Sequence, residues 1–161
     1  MDIPQNINNA ILKQSNEHKI ILDYVSRFDT AIMNKKNDEL LALIRHLAPF
    51  LQKDLISHFE MEERFFFPAI LHTLPSEENI KTVLRLQYEH GILTRDLHWM
   101  TQAIERAKFQ QADIDQELLR YLRPFLHALK IHARIEIVEL FPLIDRSEAC
   151  TDWITRQIAT G

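Results

Sequence analysis

The chain has almost no glycine. Of its 161 residues only Gly91 and the terminal Gly161 lack a side chain, and no Asn-Gly or Asp-Gly pair separates alternating apolar and polar runs. Tight hairpins need residues that tolerate positive φ, so this scarcity argues against a sheet-rich fold and predicts an all-α protein. There is one cysteine, Cys150, which excludes an intrachain disulfide and suits a reducing cytosol. No apolar run reaches membrane-spanning length, and the N-terminal M-D-I-P-Q-N has neither the basic nor the apolar part of an export signal. A cytoplasmic protein with no membrane partner is expected. Basic charge is scarce as well: 19 Lys and Arg stand against 23 Asp and Glu, a net charge of −4. Without a basic field, nucleic acid is excluded as the partner.

What the sequence does have is a repeat. His58 to Pro68 reads H-F-E-M-E-E-R-F-F-F-P, and His132 to Pro142 reads H-A-R-I-E-I-V-E-L-F-P. Both carry His, Glu four residues later and Phe-Pro five residues after that. Four fixed matches of this kind arise by chance in a chain of this length on the order of once in a thousand sequences. Upstream, Glu17-His18 and Glu89-His90 each precede an apolar run. A fixed internal period is the signature of a duplicated unit, here a helix pair. The chain is expected to be one domain over residues 1–161, with halves at about 7–72 and 76–145.

The apolar spacing predicts a first helix from about Ile7 to Met33 and a second from Asp38 to about His72, with Asn37 or Asp38 as its cap. Leu74-Pro75-Ser76 stops one helix and starts the next, which runs to about Lys108. Asp113 with Gln116 reads as the capping box of a fourth helix that ends near Asp145. Ser147 is positioned to cap a short C-terminal helix carrying Trp153 and Ile154. Pro49, Pro68, Pro124 and Pro142 each delete a backbone donor, so a kink or wide turn is expected at each. Four long helices on short loops predict an antiparallel up-down-up-down four-helix bundle with an internal two-fold repeat.

In a helix, His and the Glu four residues later stand on one face with a rise of about 6 Å between them. A lone His on an apolar face is more often a hydrogen-bonded core residue than a ligand. Four such histidines in register, two of them with the same Glu offset, point to metal binding. The candidate ligands are His18, His58, Glu62, His90, His132 and Glu136. The other pattern of carboxylate bundles, Glu-x-x-His, is absent: Ser15, Leu55, Gln87 and Leu129 stand three residues before the four histidines. Imidazole and carboxylate without thiolate suit iron, manganese or zinc.

His46 and His72 are expected on the surface, and His127 points away from His132. His98, on the face of His90 but about 12 Å along, is read as a solvated or core residue ahead of one lining an access route. Glu139, seven residues after His132, falls back on the ligand face, as an acceptor for an imidazole or as an end-of-core ion pair. Glu17, Glu63 and Glu89 each neighbour a candidate ligand in sequence and are expected to point away from it, to solvent or to a salt bridge. No hydroxyl or thiol is paired with a base at readable spacing.

These motifs, over about His18 to Pro142, resemble the hemerythrin-like family, also called the HHE cation-binding domain. The resemblance implies a four-helix bundle holding two irons that are bridged by carboxylates and by an oxo or hydroxo group. Carried over by position, the ligands are the same six residues. Oxygen-carrying members have a second His one turn after the third-helix ligand, where this chain has Thr94. The four-His, two-Glu set is closer to bacterial iron-repair and nitric-oxide-response members, whose cysteine-bearing N-terminal extension is missing here. The expected function is therefore a non-haem di-iron protein that binds or reduces dioxygen, peroxide or nitric oxide. Its alternative is an iron store or donor without turnover. One turn after His90, Thr94 is expected to face the same interior, so the position that a His would fill is left to an exchangeable ligand.

Overall fold

A computed structural model describes residues 6–108 and 116–161. Among them every regular element is helical. Helix α1 (Ile7–Met33) is capped by Asn6, whose side chain accepts from the Asn9 amide. Lys35 then takes the left-handed conformation (φ 53°), which closes the turn. Helix α2 (Asn37–Pro49) starts at Asn37 with no side-chain cap, so neither Asn37 nor Asp38 caps it as expected. Helices α3 (Leu55–Met61) and α4 (Phe67–Thr73) continue the same run. Ser76 caps α5 (Glu77–Lys108) by accepting from the Asn79 amide. Helix α6 (Gln116–Ile135) is followed by α7 (Phe141–Arg146) and by α8 (Glu148–Thr160), which Ser147 caps through the Cys150 amide. The capping box expected from Asp113 with Gln116 lies outside the described residues.

Wide, π-helical turns interrupt the two runs that carry the His-x-x-x-Glu motifs, at Phe50–Asp54, Glu62–Phe66 and Glu136–Leu140. Two of them precede Pro68 and Pro142. There the Phe67 and Phe141 amides reach back five residues to the carbonyls of Glu62 and Glu136. Proline cannot donate, and the local backbone re-pairs by widening. Pro124 does not behave this way: α6 runs through it unbroken.

The turn at Phe50–Asp54 has a separate cause. Pro49-Phe50-Leu51 recurs as Pro124-Phe125-Leu126, 75 residues on, while Leu55-x-x-His58 recurs as Leu129-x-x-His132, 74 residues on. Phe50, Leu51 and Leu55 are buried, and so are Phe125, Leu126 and Leu129. The first half therefore holds one extra residue between two matched buried anchors, and the wide turn absorbs it.

Helix α1 packs on α2 and α6, and α5 packs on α2, α4 and α6. Two apolar clusters fill the interior. One gathers Val25, Phe28, Leu51, Leu97, Leu122 and Phe125; the other gathers Phe65, Phe66, Leu86, Leu140, Ile144 and Ile154. Helix α8 covers the second, packing on α4, α7 and α1. No helix among the described residues is long and apolar enough to cross a membrane.

Candidate metal centre

A polar layer separates the two apolar clusters. His18 comes from α1, His58 from α3, His90 from α5 and His132 from α6, while Glu62 and Glu136 open the wide turns that precede the prolines. None of the six is more than 2% exposed. The fold brings all of them together. His18, His58, Glu62 and Glu136 form one group able to hold a metal ion, and Glu62, His90, His132 and Glu136 form a second; within each, the donor atoms lie within 4.8 Å of one another.

Each carboxylate belongs to both groups. Glu62 turns Oε1 to His58 Nε2 (2.8 Å) and Oε2 to His90 Nε2 (3.0 Å). Glu136 turns Oε1 to His132 Nε2 (2.6 Å) and Oε2 to His18 Nε2 (3.4 Å). Its two oxygens thus point to two different imidazole pairs, the arrangement a bridging carboxylate needs.

The donor set fits a metal. Both oxygens of Glu62 and Glu136, and Nε2 of His18, His90 and His132, are buried without a hydrogen-bond partner. Leaving one such group unsatisfied costs about 1–3 kcal/mol and more when it is charged, so that many together call for a cation. Nitrogen and oxygen donors without thiolate match iron, manganese or zinc.

The charges in the layer oppose one another. Burial, then repulsion from Glu136, holds the Glu62 carboxyl well above its ordinary range. Burial also acts to raise Glu136, but its contacts with Glu62, His132 and His18 prevail and hold it well below. Burial, then the charge on His132, lowers His90 to about 3. Burial would lower His132 too, but Glu136 and Glu89 lift it to about 9.

Glu17, Glu63 and Glu89, expected at solvent or in a salt bridge, each stand against an imidazole of this layer, with Glu63 also half exposed. Glu89 Oε2 accepts from His132 Nδ1 at 2.8 Å, and Glu63 Oε1 accepts from His90 Nδ1 at 3.0 Å. Glu17, 6% exposed, lies 3.7 Å from His58 Nδ1 without making a hydrogen bond. The contact with His132 holds the Glu89 carboxyl below its ordinary range. Pointing about 100° away from a ligand on the same helix does not mean pointing to water. At a helix–helix seam it means pointing at the neighbour's ligand. The signal was in the sequence, because Glu precedes His at both Glu17-His18 and Glu89-His90. A carboxylate on Nδ1 fixes the proton there, orients the ring and leaves Nε2 for a metal.

Thr94 is exposed and does not share the interior with His90. On α5 the buried residues Val83, Leu86, Leu93, Leu97, Met100 and Ile104 span an arc from about +20° to about −80° of His90, and Thr94 at about +40° falls outside it. Glu139 is exposed as well, since the wide turn after Ile135 changes the rotation that seven α-helical residues would give. His98 is exposed and bonded to Gln102; His127 pairs with Asp29 at 3.1 Å; His46 is exposed, and the exposed His72 stacks on Trp153. Cys150 is fully buried in the second apolar cluster, and burial pushes its thiol up, so it is a packing residue.

The sequence model of the hemerythrin HHE cation binding domain matches residues 10–144. The chain belongs to this family. No curated protein and no solved structure matched it. The matched span of this hemerythrin-like chain takes in all six buried donors and ends at Ile144, before α8.

Proposed function

We propose that this hemerythrin-like chain is a cytosolic non-haem di-iron protein that binds or reduces a small ligand such as dioxygen, peroxide or nitric oxide, as a sensor or in response to oxidative or nitrosative stress. In this reading the helices form an antiparallel up-down-up-down bundle in one domain. The observation that carries it is the overlap of the two four-residue groups, which share both Glu62 and Glu136. His18 and His58 would hold one ion, His90 and His132 the other, and the two carboxylates would bridge them.

Bound there, iron would supply two adjacent redox-active Lewis-acid centres for one small ligand. The chain's own residues do the rest. Glu62 and Glu136 set the separation of the pair, and the imidazoles present Nε2 inward. Phe59 stacks on His90 at 4.1 Å between ring centroids, and Phe141 meets His18 edge-on at 5.3 Å. These rings keep water from the donors. Two divalent ions exceed the charge of the two bridging carboxylates by two, and the three carboxyl groups of Glu17, Glu63 and Glu89 around the imidazoles suffice to offset that excess. Each group offers two imidazoles and two carboxylates, fewer donors than six-coordinate iron takes, so positions remain for an exogenous ligand. Burial of every donor favours a retained centre over an iron store or donor.

Metal analysis of the purified chain together with its optical spectrum tests this reading. Two ions per chain and a near-ultraviolet charge-transfer band of ferric iron are expected. Saturation at one ion under careful reconstitution would sink the dinuclear assignment.

A further inference from the structure

The repeat relates contacts as well as residues. Shifting Glu62, Phe67 and Pro68 by 74 gives Glu136, Phe141 and Pro142. Phe67 lies against His90 at 5.2 Å, just as Phe141 lies against His18 at 5.3 Å. Where the halves match this closely, the places where they differ are informative.

They differ around the imidazoles. Glu63 binds His90, but its counterpart 74 residues on is Ile137, which has no acceptor. Among the described residues no side chain hydrogen-bonds His18 Nδ1. Glu89 binds His132 at 2.8 Å, while its counterpart Glu17 stands 3.7 Å from His58 and leaves Nδ1 unpaired. Phe59 stacks on His90 and meets His132 edge-on at 5.7 Å, whereas its counterpart is Ala133. The contacts with the shared carboxylates set His18 alone apart: it lies 3.4 Å from Glu136 and 3.6 Å from Glu62, while His58, His90 and His132 lie 2.8, 3.0 and 2.6 Å from theirs.

From these contacts, and resting on the dinuclear reading above, we propose that the two metal positions are unequal. The His90–His132 position fills first and holds its ion more tightly, because Glu63 and Glu89 fix both of its imidazoles. The His18–His58 position fills second and gives up its ion first. An acceptor on Nδ1 raises imidazole basicity and removes the cost of orienting the ring, and removing such a partner commonly costs about 10–100-fold in metal affinity. Glu63 and Glu89 are positioning residues: they act through His90 and His132. Ile137 marks where the corresponding support for His18 is missing.

Cobalt(II) is the probe, titrated anaerobically into the full chain against a competing chelator. Two equivalents should bind in two resolved steps. In crystals grown with one equivalent, the anomalous signal should lie between His90 and His132. Glu63 is half exposed, so Glu63→Gln leaves the interior packing intact. It should weaken the first step about 10–100-fold and leave the second unchanged, with partial rescue by Glu63→Asp. Ile137→Glu should strengthen the second step and narrow the gap. Two equivalents of indistinguishable affinity, a first ion seated at His18–His58, or a Glu63→Gln first step like that of the native chain would each overturn the proposal. Saturation at one equivalent would instead overturn the dinuclear reading on which it rests.

Discussion

Glu89 stands beside His90 in the chain, yet its Oε2 lies 2.8 Å from Nδ1 of His132 on another helix. One dipeptide thus serves two histidines, donating a candidate ligand with one residue and steadying a second ligand with the other. Glu89 is about a quarter exposed and is reached from outside by Arg85 at 3.0 Å. The polar layer is therefore braced from the helix surface inward. Glu89→Ala should lower metal affinity by about 10–100-fold, measured by chelator competition. Glu139→Ala, on the ligand run but exposed, should leave it unchanged. Equal effects from the two would mean that only overall charge matters.

The shared carboxylates should behave differently from their supports. Glu62→Ala or Glu136→Ala removes a donor common to both groups, so each variant should lose both ions while its far-ultraviolet dichroism stays helical. Unfolding midpoints of the native chain should rise with added metal as the logarithm of concentration over dissociation constant, and those of the variants should not. Full metal content in both variants would show that the carboxylates do not bridge.

Exogenous ligands supply a third measurement. Azide added to the diferric protein and nitric oxide added to the anaerobic diferrous protein should change the optical and paramagnetic-resonance spectra, because the protein donors do not complete six-coordination. Thr94→His should leave these responses as they are. Thr94 is exposed, and a side chain there does not reach the layer. A narrowed response in the variant would mean that α5 rotates on loading.

Gly91 is a stability test independent of metal. It lies within α5 beside His90, and a Cβ built there meets nothing within 4 Å. Glycine inside a helix costs roughly 0.5–1 kcal/mol relative to alanine. Gly91→Ala should raise the unfolding midpoint by about 1–4 °C for a chain of this size. A lower midpoint would show that the site needs freedom at this point of the backbone.

The clustering of the six candidate donors could be read from the chain because helical spacing converts His-x-x-x-Glu directly into a shared face, twice in register. The bracing carboxylates could not be read by the same rule. Rotation about one helix axis says that Glu63 leaves the face of Glu62, but not that α5 waits there with His90. Thr94 was misplaced for a related reason: four residues exceed a full turn by about 40°, and the buried arc of α5 ends before that. Prolines announced wide turns correctly before Pro68 and Pro142. Pro124 sits in an unbroken helix, and the turn after Pro49 follows from an extra residue rather than from the ring.

That extra residue has a consequence for how such a helix can change length. Added to an ordinary α-helix, it would rotate everything downstream by about 100° and swing His58 and Glu62 away from their partners. The wide turn at Phe50–Asp54 acts as an expansion joint. It takes up the added length within one turn, and Leu55 onward keeps the orientation that Leu129 onward has in the other half. Length in this segment is thereby uncoupled from ligand geometry. One added residue, of the kind ordinarily confined to loops, is accommodated inside a helix that carries two of the candidate donors.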